Sequence, residues 1–130
     1  MEKQIFEMLT KKRQKDELTM LDAYNQRTEK FGLALSEQEA KELIISRNNS
    51  LKKYGRVEFG RGILDKIIYS FCDSQYISQD TYLATLTRLQ DIFYRFKNES
   101  QDKLTDDELM TFMRQQYESV CFGDLDYLEN

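Results

Sequence analysis

Apolar residues recur along this chain at intervals of three and four, the spacing that places them on one face of an α-helix. The pattern predicts an all-α fold, a compact bundle of about five helices. The first helical segment runs from about Ile5 to Tyr24. Ile5, Phe6, Met8 and Leu9 form one apolar cluster and Leu18, Met20, Leu21 and Tyr24 another, separated by the wholly polar Thr10–Glu17. That reads as one helix with a solvated middle, or as two short helices with a bend. Phe31–Leu35 is an apolar connector in which Gly32 stops the preceding helix.

The second helix has a clear start. Ser36 and Glu39 form a capping box, in which each side chain satisfies a backbone donor of the other. Ala40, Leu43, Ile44, Leu51 and Tyr54 follow at helical spacing, and Gly55 ends the run in the left-handed region. The third helix begins between Val57 and Gly62, with Phe59, Ile63, Leu64, Ile67, Ile68 and Phe71 on its apolar face. The fourth is capped by Ser78. It carries Tyr82, Leu83, Leu86, Leu89, Phe93 and Phe96 on one side and Arg88, Asp91 and Arg95 on the other, and its length makes it the central helix. The fifth opens with a second capping box, Thr105 with Glu108, and carries Leu109, Phe112, Met113 and Tyr117. Phe71, Leu86, Leu89, Phe93 and Phe112 are expected in one core. Gly123 ends the fifth run, and an acidic tail, Asp124–Asn130, follows as a solvated extension bearing Leu125 and Leu128. The domain expectation is one unit over 1–130: an N-terminal helical segment 1–30, a core bundle 36–122 and a tail 123–130.

Composition sharpens this picture mainly through absences. There is no Pro in 130 residues, where average usage would supply about six, so nothing interrupts the helices. There is no His, which removes Ser-His and Cys-His nucleophile pairs and imidazole metal ligands. Cys72 and Cys121 are the only thiols, too few for a disulfide framework or a cysteine zinc site. Each adjoins a Phe, and both read as buried and reduced. The net charge of −4 argues against a domain-wide nucleic-acid surface. No window approaches the ~18 apolar residues of a membrane span, and the N-terminus places its apolar cluster ahead of its charges, the reverse of a signal peptide. The expectation is a cytoplasmic protein with no cofactor and no membrane association.

Three local patterns bear on chemistry. Aligning Leu104 with the eighth position of a calcium loop puts Glu108 at the twelfth, but Lys97 then stands at the first and Asp102 where the turn Gly belongs. That defeats the site. A helix-turn-helix reading of the third and fourth helices fails on a polar linker without Gly and on a balanced mixture of charges along the fourth helix. The stretch Gly55–Gly62 holds three of the five glycines, and residues 47–61 carry Arg47, Lys52, Lys53, Arg56 and Arg61 against Glu58 alone. A Gly-rich turn opening a helix can present free backbone donors to an anion. Arg47, Lys52, Arg56 and Arg61 are therefore the candidate anion or partner surface, although no phosphate-loop or dinucleotide pattern accompanies them. The bland reading makes the glycines stops and close-approach points, with the cations solvated. Residues 101–130 are the opposite, with eight acidic and two basic residues, a polarity that could join the two regions within one fold or between copies. Asp106 and Asp107 suit a helix N-terminus and do not by themselves argue for acid–base catalysis.

Several of these segments also carry a resemblance. They are Arg47-Asn-x-Ser-Leu51, Gly55-Arg-Val-Glu-Phe-Gly60, Phe71-Cys-Asp-Ser74 with Tyr76-Ile77, Tyr82 through Leu86, Ile92-Phe-Tyr94, Lys97-Asn-Glu-Ser100, Asp107-Glu-Leu109 and Asp124-Leu-Asp-Tyr-Leu128. From Leu33 to Leu128 the chain resembles an uncharacterised family of small bacterial proteins, classified as a domain of unknown function. The resemblance implies no activity, ligand or catalytic residue. With no reactive constellation, the functional expectation is a non-enzymatic helical interaction or scaffold protein with a protein partner, or with further copies of itself. The alternative is a regulatory or ligand-binding module using the basic Gly-Arg segment to hold an anion, an acidic partner or nucleic acid.

Overall fold

A computed structural model describes residues 8, 19–58 and 62–130. Apart from Met8, the predicted Ile5–Leu9 cluster and the polar stretch after it lie outside the described residues, as do Leu18, Phe59, Gly60 and Arg61. Among the described residues there is no strand. Helix α1 covers residues 19–28 and runs into a 3-10 turn, Glu29–Phe31, which Gly32 stops at φ 75°. Helix α2 is Glu37–Lys53, α3 Leu64–Phe71, α4 Tyr82–Glu99, α5 Asp106–Ser119 and α6 Leu125–Glu129.

Both capping boxes form as the sequence predicts. Ser36 accepts from the Glu39 amide at 3.1 Å while Glu39 accepts from the Ser36 amide at 3.0 Å. Thr105 and Glu108 repeat the arrangement at the start of α5. Satisfying two otherwise orphaned donors at each site fixes where these helices begin. The predicted cap at Ser78 is different. Ser78 makes no side-chain cap bond, and a 3-10 turn, Gln79–Thr81, stands between it and α4. Its hydroxyl instead lies 3.2 Å from that of Thr81.

Helix α4 is the centre of the bundle, packed against α2, α3, α5 and α6. The stripe Tyr82, Leu86, Leu89, Phe93 is buried along it, and all five of Ile63, Leu64, Ile67, Ile68 and Phe71 are buried under α3. Phe71 meets Tyr117 edge-on at 5.4 Å, a favoured aromatic geometry. Phe112 corrects the sequence reading, because it is 47% exposed. Helix α5 buries Leu109, Met110, Met113 and Tyr117, a stripe whose axis passes round the helix from Phe112. The tail is a second correction. Asp124 caps α6 by accepting from the Asp126 amide at 2.9 Å, and Leu128 is buried. Arg88 bonds Asp126 and Glu129, each at 2.8 Å, so the acidic end is docked on α4 and not free in solvent.

Polar cross-links hold the helices in register. Asp91 of α4 accepts from three side chains of the α2 C-terminal turns: Ser50 at 2.9 Å, Tyr54 at 3.0 Å and Lys53 at 3.4 Å. Arg114 of α5 donates to Asp73 at 2.7 Å and to the Ser70 carbonyl at the end of α3. The Tyr24 hydroxyl donates to Asp65, and Arg27 stacks 4.4 Å from the Tyr69 ring centre, tying α1 to α3.

Candidate functional site

The basic Gly-Arg segment leaves α2 at Gly55, whose φ of 65° is a conformation that costs other residues ~1–2 kcal/mol. The turn closes with the Arg56 amide donating to the Leu51 carbonyl at 2.8 Å. This geometry aims Arg56 across the bundle at the α4–α5 turn. Its guanidinium forks onto both Asp102 oxygens, at 2.7 and 3.3 Å, and also reaches Asn98 at 2.7 Å. Asn98 in turn donates to the Tyr54 carbonyl at 2.9 Å. The hydrogen bond from Arg56 holds the Asp102 carboxyl below its ordinary range. Asp102 itself sits at φ 59°, after Gln101 at φ 56°, so a turn of two left-handed residues is clamped by an arginine from a distant segment.

Arg56 is thus engaged within the fold, with 22% of its side chain exposed. Lys52 lies exposed on the outside of α2. Arg47 is half-buried and near enough to influence Tyr94, and Arg61 lies outside the described residues. Among the described residues, neither groove beside α5 is lined by Arg47, Lys52 or Arg56.

Beneath the segment, the fully buried Tyr94 donates to Glu58 at 2.6 Å. Burial, and then that bond to a carboxylate, push the Tyr94 phenol far above its ordinary range. Gly62, at φ 59°, lies against the same carboxylate, where an added Cβ would overlap it. Lys97 is buried over most of its length and wraps the α4–α5 turn, donating to the Leu104 carbonyl at 2.8 Å with Asp106 at 2.9 Å. Each of these groups has a partner that serves the fold. Sequence periodicity could not find them, because Arg56 and Asp102 are 46 residues apart.

The acidic C-terminal third is neutralised in the same manner. Asp102, Asp106 and Asp107 meet Arg56, Lys97 and Lys66, while Asp126 and Glu129 meet Arg88. The chain's charge polarity therefore acts largely within one molecule. Two open grooves flank α5. One of about 420 Å³ lies between Lys66, Ser70 and Arg114, and one of about 500 Å³ lies beside Leu104 and Phe112. The cations of the first, Lys66 and Arg114, are already paired. Both thiols are buried and free of any disulfide, and burial raises the pKa of each, the character of an unreactive cysteine. Among the described residues no cluster of three or more Cys, Asp or Glu is disposed to hold a metal, and no helix is long and apolar enough to cross a membrane.

Among the exposed large hydrophobics, aliphatic and aromatic, one stands on a strained backbone. Phe122, in the α5–α6 connection, is 67% exposed at φ 50°, a genuine outlier for a bulky side chain. The residues on either side hold it rigidly: Cys121 is buried, and Gly123 lies directly against Tyr76. Tyr127 and Phe112 are exposed nearby in sequence.

A family model described as a family of unknown function (DUF6323) matches residues 20–130. The chain belongs to that family. The match takes in every described helix from α2 to α6 and nearly all of α1. No curated protein and no solved structure matches it.

Proposed function

We propose that this DUF6323 chain is a non-enzymatic interaction or scaffold protein of the cytoplasm, working through its outer faces. The observation that carries the reading is Phe122, an aromatic side chain held in solvent by a left-handed backbone that costs ~1–2 kcal/mol. Rigid aromatics of this kind supply the anchors of protein interfaces. The polar chemistry supports the same reading, because Arg56, Tyr94, Lys97 and Asp91 are all engaged in joining helices. Two thiols outside any disulfide fit a reducing compartment.

The test is purification of the tagged protein from its native cell, beside a Phe122→Ser variant. The expected result is a protein partner retained by the wild type and lost by the variant. Recovery of the tagged wild-type chain with neither another protein nor a further copy of itself would refute the reading. Lys52, exposed and without an ion-pair partner among the described residues, favours a second reading as a ligand-binding module. Polyphosphate binding that weakens with salt and with Lys52→Gln would support it.

A further inference from the structure

We propose that two copies of this chain dimerise by exchanging α6, each laying its own α6 on the α4 and α5 of the other. The proposal goes beyond the Phe122 reading and does not rest on it, because exchange uses the contacts of α6 and not the exposed ring. Those contacts are already formed within one molecule. Arg88 of α4 meets Asp126 and Glu129, each at 2.8 Å, and Arg95 donates to the Glu129 carbonyl at 2.7 Å. Leu128 is buried in the core that Leu125 also packs against, and α6 touches both α4 and α5. The α6 of a second copy would meet the same side chains in the same way, so the fold itself shows the fit of this occupant. Exchange of an identical element is a low-cost route to a dimer.

The hinge supplies the drive. The chain reaches α6 through two successive left-handed residues, Phe122 at φ 50° and Gly123 at φ 79°. Gly123 adopts that conformation freely, but a bulky side chain does so against its own backbone. Phe122 is 67% exposed, so little packing offsets the cost. In the closed monomer every hinge carries this strain. In the exchanged dimer the hinge is opened, Phe122 returns to ordinary backbone, and the contacts of α6 are kept. The left-handed cost therefore favours opening by about tenfold per hinge. Against it stands the nearness of α6 to its own α4, an effective concentration on the order of millimolar for a short connection. Two hinges open in each dimer, which places its dissociation constant on the order of ten micromolar.

The experiment is sedimentation velocity on the full chain from micromolar to millimolar concentration. Wild type, Phe122→Gly and Gly123→Ala are compared, each checked for native circular dichroism. The wild type should pass from monomer to dimer. Glycine accepts φ 50° without strain, so Phe122→Gly should weaken the dimer at least about tenfold. In Gly123→Ala the added Cβ meets Tyr76 while the hinge is closed, so the dimer should tighten at least about tenfold although the Phe122 ring is unchanged. A dimer mixed from isotope-labelled and unlabelled chains then locates α6. Nuclear Overhauser contacts should join Leu128 of one copy to α4 of the other. A wild type that stays monomeric to millimolar concentration, a dimer indifferent to Phe122→Gly, or a dimer without α6–α4 contacts between copies would each overturn the proposal. Should Gly123→Ala fail to fold, Phe122→Gly and the labelled wild-type dimer decide the question.

Discussion

Gly123→Ala isolates the backbone geometry that supports the Phe122 knuckle. Gly123 has φ 79°, and an ideal Cβ there would lie 2.4 Å from Tyr76 Cβ and 2.5 Å from its Cγ. The Tyr76 Cβ is fixed to the backbone, so no rotamer change moves it away. Tyr76 is further held edge-on against Tyr117 at 6.1 Å. A left-handed alanine costs ~1–2 kcal/mol, and overpacking adds ~1–3 kcal/mol. The reduced freedom of the unfolded chain returns ~0.4–1 kcal/mol. The net loss is about 1–4.5 kcal/mol, which at ~4 °C per kcal/mol for this length lowers the melting temperature by about 4–18 °C. Gly55→Ala provides the internal control. It shares the left-handed conformation, at φ 65°, but its Cβ would meet nothing within 4 Å, so only ~1 kcal/mol is expected. Urea denaturation of both variants separates strain from contact. Equal losses at the two sites, or a Gly123→Ala midpoint that does not move, would refute the close approach of Tyr76.

Three further outcomes follow from other parts of the bundle. Phe93→Ala empties a site 1% exposed in the middle of α4 and should cost about 3–5 kcal/mol by chemical denaturation. Arg56→Gln should cost about 1–2 kcal/mol, the range for hydrogen bonds involving a charged group less its partial exposure. Lys52→Gln should stay within about 0.5 kcal/mol; equal melts for the two would deny Arg56 its structural role. Stability should also fall in alkali. Burial pushes the Tyr82 phenol up to about 12 and Tyr94 higher still. A raised folded pKa stabilises the neutral form, so that stability is complete below the ordinary tyrosine value near 10 and is lost as pH rises above it. With no Trp in the chain, tyrosinate absorbance reports this directly, and a fraction of the tyrosines should ionise only on unfolding.

Helix existence was legible because it is written locally. The two capping boxes lie within four residues each, and the stripes of α2, α3 and α4 repeat at helical spacing. Gly32, Gly55 and Gly123 take the left-handed conformations expected of stops. Features that depend on a second segment were not legible. Phe112 belongs to an apolar repeat, yet which flank of α5 meets α4 is decided by α3 and α6. The acidic tail reads as solvated until Arg88 and Arg95 are seen beneath it, where Arg95 donates to the Glu129 carbonyl at 2.7 Å. The Gly-Arg segment stands out in the sequence for its charge, which suits an anion surface or solvated cations equally well. The Arg56 fork onto Asp102 follows from the path of the chain after Gly55, which no periodicity encodes. Phe122 carries a visible signal: an aromatic directly before a helix-stopping Gly, in a stretch with no cation to cover it.

The central claim is that the chain acts by presenting Phe122 to another protein surface. Its most direct test is quantitative affinity purification from the native cell, comparing wild type and Phe122→Ser at equal expression, with circular dichroism and urea melts in parallel. The account predicts a partner, or further copies of the chain, recovered at near-stoichiometric ratio with the wild type and at least about tenfold less with the variant, while the variant remains as stable as the wild type. Equal recovery with and without the Phe122 ring would contradict it.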